Sequence, residues 1–143
     1  MGLLRLTHVR PGVQPEATVA ETVQVMTEAE IGAIAVMEGK KIVGIFTERD
    51  LMRRVVAQRR DPGTTVIREV MTSALVTVLD TTSVAEASAI MRSYRMRHLV
   101  VVDDKGDYLG MLAQRHLLYD LMNDLALKVD DLSGYIMADG PGG

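Results

Sequence analysis

Thr18-Val19-Ala20-Glu21 and Ser83-Val84-Ala85-Glu86 are nearly the same four-residue phrase written twice, 65 positions apart (83 minus 18). At that offset Met26 meets Met91 and Val36 meets Val101. After one inserted residue Gly44 meets Gly110, Arg49 meets Arg115 and Leu51 meets Leu117. Self-similarity at a fixed period signals a duplicated structural unit. The slip of one residue falls in the turns Glu38-Gly39-Lys40-Lys41 and Asp103-Asp104-Lys105-Gly106-Asp107. Both are polar, glycine-bearing gaps between apolar runs, which read as hairpin turns.

Working outward, each copy opens on a hydroxyl N-cap and an amphipathic helix. Val19, Val23 and Met26 share one face in the first copy, and Val84, Ala87, Ile90, Met91 and Tyr94 form the equivalent face in the second. Two short strands follow in each, over residues 33–37 with 42–46 and 99–102 with 108–112. The second strand of each pair runs straight into a helix, marked by Leu51, Met52, Val55 and Val56 in one copy and by Leu117, Leu118, Leu121, Met122 and Leu125 in the other. A short apolar strand precedes each unit, clear over residues 75–78 and weak over 9–13, where Pro11 and Pro15 limit pairing. The predicted class is α/β (α+β), with two β-α-β-β-α repeats packed as a pseudo-twofold pair, because a unit of roughly 55 to 60 residues is marginal alone. Residues 1–60 are assigned to the first repeat, 61–69 to a linker around Asp61-Pro62-Gly63-Thr64-Thr65, and 70–128 to the second repeat. The tail, residues 129–143, is rich in Gly and is expected to be partly disordered, although Leu132, Tyr135, Ile136 and Met137 could dock on a neighbour.

Composition narrows the function. The 143 residues suit one ordinary domain. Forty-eight per cent are apolar but only four Tyr and one Phe are aromatic, so the core must be aliphatic and base-stacking platforms are scarce. The ten Met read as flexible core filler. With no Cys, disulfides, thiolate zinc sites and cysteine nucleophiles are excluded together, and a reducing cytoplasm is the expected location. A formal charge of -3 opposes broad neutralisation of a phosphate backbone. No apolar run reaches the roughly 20 residues of a membrane span, and the first residues do not read as a signal peptide. No nucleophile elbow, H-E-x-x-H pair or P-loop occurs, so the chain is not expected to be an enzyme.

Three motifs carry a resemblance: Gly44-Ile45-Phe46-Thr47-Glu48-Arg49-Asp50-Leu51, Val70-Met71-Thr72, and Met96-Arg97-His98-Leu99-Val100-Val101-Val102-Asp103. Together they resemble the paired cystathionine-β-synthase (CBS) domains, or Bateman module, of the stand-alone prokaryotic type, over approximately Val9 to Asp124. The resemblance implies no obligatory cofactor but an adenosine-containing ligand, with AMP expected first and then ATP, ADP or S-adenosylmethionine.

The residues make their own physical case. Thr47 ends a strand and begins a helix, so its hydroxyl and the free N–H groups of the first turn suit a phosphate. Asp50, one turn on, can accept hydrogen bonds from two ribose hydroxyls. The same Thr47-Glu48-Arg49-Asp50 also satisfies a capping-box pattern with no ligand at all. The resemblance implies that Thr47, Arg49 and Asp50 face Thr72, Val76, Met96, Arg97 and His98. Ile45, Val76 and Met96 would then sandwich adenine, and Arg97 with Arg49 would meet phosphate. The second repeat departs from the motif, carrying Ala113 and His116 where the first has Thr47 and Asp50, so one competent site is expected. Arg115 and His116 could still hold an anion in that second cleft, which Ile31-Gly32-Ala33 faces.

A non-enzymatic regulatory module follows, in which occupancy of a cleft between repeats shifts their arrangement and the contacts offered to an effector protein not yet identified. The alternative is a ligand-free dimerisation or scaffold module with a vestigial cleft. A homodimer is expected from the surplus apolar helix residues Leu118, Leu121, Met122 and Leu125. No membrane partner is expected, and acidity opposes nucleic-acid binding through Arg92, Arg95 and Arg97.

Overall fold

A computed structural model describes residues 11–114 together with Met122, Leu125 and Ala126. The first repeat contributes β1 (Gly12–Val13), α1 (Val19–Ala29), β2 (Ala33–Glu38), β3 (Lys41–Thr47) and a short α2 (Glu48–Asp50) that continues as a π-helical turn, Leu51–Val56. After α3 (Ile67–Val70) the second repeat contributes β4 (Thr77–Leu79), α4 (Val84–Tyr94), β5 (His98–Val102) and β6 (Tyr108–Ala113). Two three-stranded sheets result, ordered β1-β2-β3 and β4-β5-β6. In each the first pairing is parallel and the second antiparallel.

Duplication reaches below the level of elements. The β2–β3 ladder is irregular between Val36 and Met37, and the β5–β6 ladder between Val101 and Val102, which are equivalent positions in the two copies. Both long helices start on a hydroxyl: Thr18 accepts from Glu21 N while Glu21 reaches back to Thr18 N, and Ser83 accepts from Glu86 N. Each ends on a charged residue in the left-handed region, Glu30 at φ 56° and Arg95 at φ 52°, where glycine would be the default. Glu48 N donates to Gly32 O at 3.0 Å, and Gln114 N to Arg97 O at 2.7 Å, so the start of each repeat's last helix is tied to the turn before its middle strand.

Three apolar clusters hold the chain. Val19, Met26, Ile34, Val36, Phe46, Val55, Ile67 and Val70 form the first, and Val78, Val84, Ala87, Met91, Leu99, Val101 and Leu112 the second. A third joins Ala33 and Ala35 of the first sheet to Met111 of the second, with Met37, Ile42, Ile45 and Tyr108 around it. That shared cluster is why neither repeat need be stable alone. A polar clasp adds to it: Lys41 Nζ donates to Lys105 O and pairs with Asp107, each at 2.7 Å, and Tyr108 N donates to Lys40 O at 3.0 Å.

Several expectations need correction. β4 begins at Thr77, so Leu75 and Val76 precede the paired strand. β1 is only two residues long, in keeping with its flanking prolines. The helix after β3 is π-wound, and its apolar residues do not share one buried face: Val55 is fully buried whereas Met52 and Val56 are 58% and 63% exposed. Tyr94, the end of its helix, is 64% exposed. α3 crosses the boundary drawn between residues 69 and 70, and its Ile67 and Val70 both enter the first core. The residues beside it pack on the first repeat through Val19 N to Thr65 O, Ala20 N to Pro62 O and Ile67 N to Ala17 O, at 2.8 to 2.9 Å. Arg115, His116, Leu117, Leu118, Leu121 and residues 127–143 lie outside the described residues, while Met122 and Leu125, which are described, are helical and exposed.

Candidate functional site

Alternation in β3 sets up the site. Gly44 and Phe46 are buried, and Ile45 and Thr47, two apart, share the opposite face of the sheet. Along the open edge of β3 the Ile45 backbone pairs with Thr72: Ile45 N donates to Thr72 O at 2.9 Å and Thr72 N to Ile45 O at 2.8 Å. The segment leading into the second repeat is thereby fastened to the edge of the first sheet. Gly44 permits the close approach, since a Cβ there would lie 2.5 Å from Met71 Sδ.

Thr47 caps the helix start from an extended conformation. Its Oγ1 accepts from Asp50 N at 3.1 Å, and Asp50 Oδ2 accepts from Thr47 N at 3.1 Å. The capping box is therefore realised. The N–H groups of Thr47, Glu48 and Asp50 are engaged within the fold, so these three are already satisfied without a phosphate. The Thr47 hydroxyl accepts in the box and keeps its proton to donate.

Asp50 is buried to 7% exposure yet faces a cavity. Besides Thr47 N, its carboxylate receives the Thr72 hydroxyl, 3.1 Å from Oδ1 and 3.2 Å from Oδ2. Arg54 Nε stands 3.7 Å from Oδ1, while Arg54 Nη1 donates to Met71 O at 2.8 Å and to Val70 O at 3.3 Å. Arg54 thus ties the carboxylate, the end of α3 and the Thr72 segment together. Sequence reasoning missed it, because its partners are backbone carbonyls 16 and 17 residues away.

The cavity beside Asp50 measures about 270 Å³. All nine residues singled out from the sequence line it: Ile45, Thr47, Arg49 and Asp50 from the first repeat, Thr72 and Val76 from the segment that follows, and Met96, Arg97 and His98 from the second. Gly32, Glu48, Ala74, Leu75, Arg95 and Val100 complete it. Arg49, Arg95 and Arg97 line it together with Glu48 and Asp50, three cations and two carboxylates. Among the described residues none of those three guanidinium groups is in an ion pair.

A larger cavity of about 800 Å³ occupies the cleft at the pseudo-symmetric position. Its lining includes Ile31, Gly32, Ala113 and Gln114, with Val23, Met26, Thr27, Glu30 and Leu51 on the first-repeat side. Gly32, Glu48, Arg97 and His98 line both cavities, so the two adjoin. The larger one lacks a counterpart of the Thr47 and Asp50 pair among the described residues.

Comparison with known proteins can now be set beside this geometry. The CBS domain family model matches twice, over residues 9–57 and 67–123, which is most of the chain. The chain belongs to the CBS-domain family. It is a CBS pair, a module of regulatory type, and no catalytic domain is evident among the matched segments. A mitochondrial CBS domain-containing protein of Arabidopsis thaliana is 32% identical over 124 residues, which is 83% of this chain but only 60% of that relative's length. Among solved structures, a CBS-domain protein from Burkholderia ambifaria superposes with a TM-score of 0.74 at 36% identity, covering 80% of this chain and 85% of that one. A CBS domain protein from Pyrobaculum aerophilum, solved in complex with AMP, superposes with a TM-score of 0.68 at 31% identity, covering 81% and 95%.

Proposed function

We propose that this CBS pair is a non-enzymatic sensor that binds an adenosine-containing ligand, AMP first among them, in the smaller cavity. The observation that carries the reading is the placement of a buried carboxylate, Asp50, on a cavity whose other charged residues are mostly arginines. Asp50 suits a ribose diol, while Ile45, Val76 and Met96 supply apolar contact for a base. Arg49, Arg95 and Arg97 suit a phosphate. Because 270 Å³ lies just under the roughly 300 Å³ where ligand pockets usually begin, the phosphate is expected to extend past Arg97 toward the adjoining cavity. The AMP complex of the Pyrobaculum relative supports this ligand class. Signalling would run through the joint between repeats to an effector protein, with a homodimer as the expected assembly.

Titration calorimetry of AMP against the full chain and against Asp50→Ala tests the reading. Loss of hydrogen bonds to a charged acceptor is worth about 1.5 to 3 kcal/mol, so affinity should fall roughly tenfold to hundredfold. Equal affinity in the variant would remove Asp50 from the site. A ligand-free scaffold is the competing reading, favoured by a capping box that is complete without ligand and by the exposed Met52, Val56, Met122 and Leu125. Failure of AMP, ADP, ATP and S-adenosylmethionine to raise the melting temperature would select it, since a ligand that prefers the native state must stabilise it.

A further inference from the structure

The Thr72 hydroxyl sits almost midway between the two oxygens of Asp50, at 3.1 and 3.2 Å, and so fills the notch of the carboxylate. Oδ2 is further occupied by Thr47 N. A carboxylate has about four acceptor positions, and a vicinal diol that places one hydroxyl on each oxygen needs the notch that Thr72 now holds. We infer that the Thr72 hydroxyl is a stand-in for the ligand's own hydroxyls on Asp50. A diol entering the smaller cavity displaces it and loosens the Met71–Thr72 segment from the first repeat.

The inference rests on the reading of the cavity as an adenosine-ligand site and adds its means of regulation. Thr72 lies five residues before Thr77, where β4 enters the second sheet, so its attachment is a direct link between the repeats. Four fastenings hold the segment: the Ile45 backbone pair, Arg54 on the carbonyls of Val70 and Met71, Met71 packed on Gly44, and the hydroxyl on Asp50. In the last of these, donor and acceptor both line the cavity, and an incoming diol competes for that acceptor. Arg54, 3.7 Å from Oδ1, stays beside the carboxylate when Thr72 leaves.

The test uses the full chain, titrated with AMP and with 2′,3′-dideoxy-AMP, in wild type, Thr72→Val and Thr72→Ser. Valine keeps the branched shape and removes the competing donor, so it should bind AMP about tenfold tighter than wild type. It should bind the dideoxy compound no tighter, and serine should restore wild-type affinity. AMP binding by Thr72→Val that is unchanged or weaker would overturn the inference. Should the valine variant not fold, amide exchange of wild type decides: Thr72 and Ile45 should exchange faster with AMP bound than with the dideoxy compound bound. Equal or slower exchange would refute displacement. If wild type and Asp50→Ala bind AMP alike, and neither distinguishes the dideoxy compound, the site reading itself has failed and the displacement falls with it.

Discussion

Replacing Gly44 with Ala places one methyl group where two backbone segments and one side chain already meet. The new Cβ would stand 2.5 Å from Met71 Sδ, 3.0 Å from Met71 Cγ and 3.0 Å from Thr72 O. The methionine side chain can swing away. The Thr72 carbonyl cannot retreat without stretching its 2.9 Å bond from Ile45 N. Gly44 itself is held opposite Val36 in the β2–β3 ladder. Overpacking of this kind costs about 1 to 3 kcal/mol, offset by about 0.4 to 1 kcal/mol from the reduced freedom of the unfolded chain. Taken at the middle of both ranges the net loss is about 1.3 kcal/mol, which should lower the melting temperature by roughly 3 to 5 °C for a domain of this size, read by circular dichroism. A midpoint within about 1 °C of wild type, or above it, would show that the Thr72 segment is not held against β3 as described.

Three further outcomes can be measured. Phe46→Ala empties a fully buried position in the first core and should cost about 3 to 5 kcal/mol, seen as a lower urea midpoint. Lys41→Met should remove the clasp to the second repeat. The hydrogen bond from Lys41 holds the Asp107 carboxyl below its usual range, so its stabilisation is present above the unfolded value and is lost as pH falls through the lower folded one. The difference in urea midpoint between wild type and Lys41→Met should therefore be largest at neutral pH and shrink as pH falls below about 3.9, leaving the part owed to the bond from Lys41 to Lys105 O, which does not titrate. Thr18→Ala breaks a capping box and should cost about 1 kcal/mol by the same measurement.

Much of the fold is written in local chemistry. Thr18 and Ser83 announce the two long helices because a short hydroxyl side chain satisfies N–H groups that the helix cannot, and both do so in the structure. The hairpins are legible because apolar runs are cut by turns carrying Gly39 and Gly106, which lie at φ 63° and 85°. The π-helical turn was not legible. Leu51, Met52, Val55 and Val56 fit an ordinary helix face, and residue identity encodes neither the π hydrogen-bond register nor which of these apolar residues the fold leaves exposed. Leu75 and Val76 read as strand because they are apolar, yet they face a cavity instead of a ladder.

The candidate site divides in the same way. Thr47 and Asp50 stand out by their spacing, but spacing serves a helix cap and a diol clasp equally well, and the structure shows the cap made with a cavity beside it. Arg54 and the Thr72 hydroxyl matter only because the chain returns to the same place after the linker. Contacts of that kind depend on tertiary approach, which no local pattern records.

The most direct measurement is a crystal structure of the chain grown with AMP. The account expects nucleotide density in the 270 Å³ cavity, with both ribose hydroxyls within hydrogen-bond distance of Asp50, the phosphate beside Arg97, and the Thr72 hydroxyl moved off the carboxylate. Nucleotide seated only in the 800 Å³ cleft with Asp50 still closed on Thr47 and Thr72, or no nucleotide at all, would contradict it.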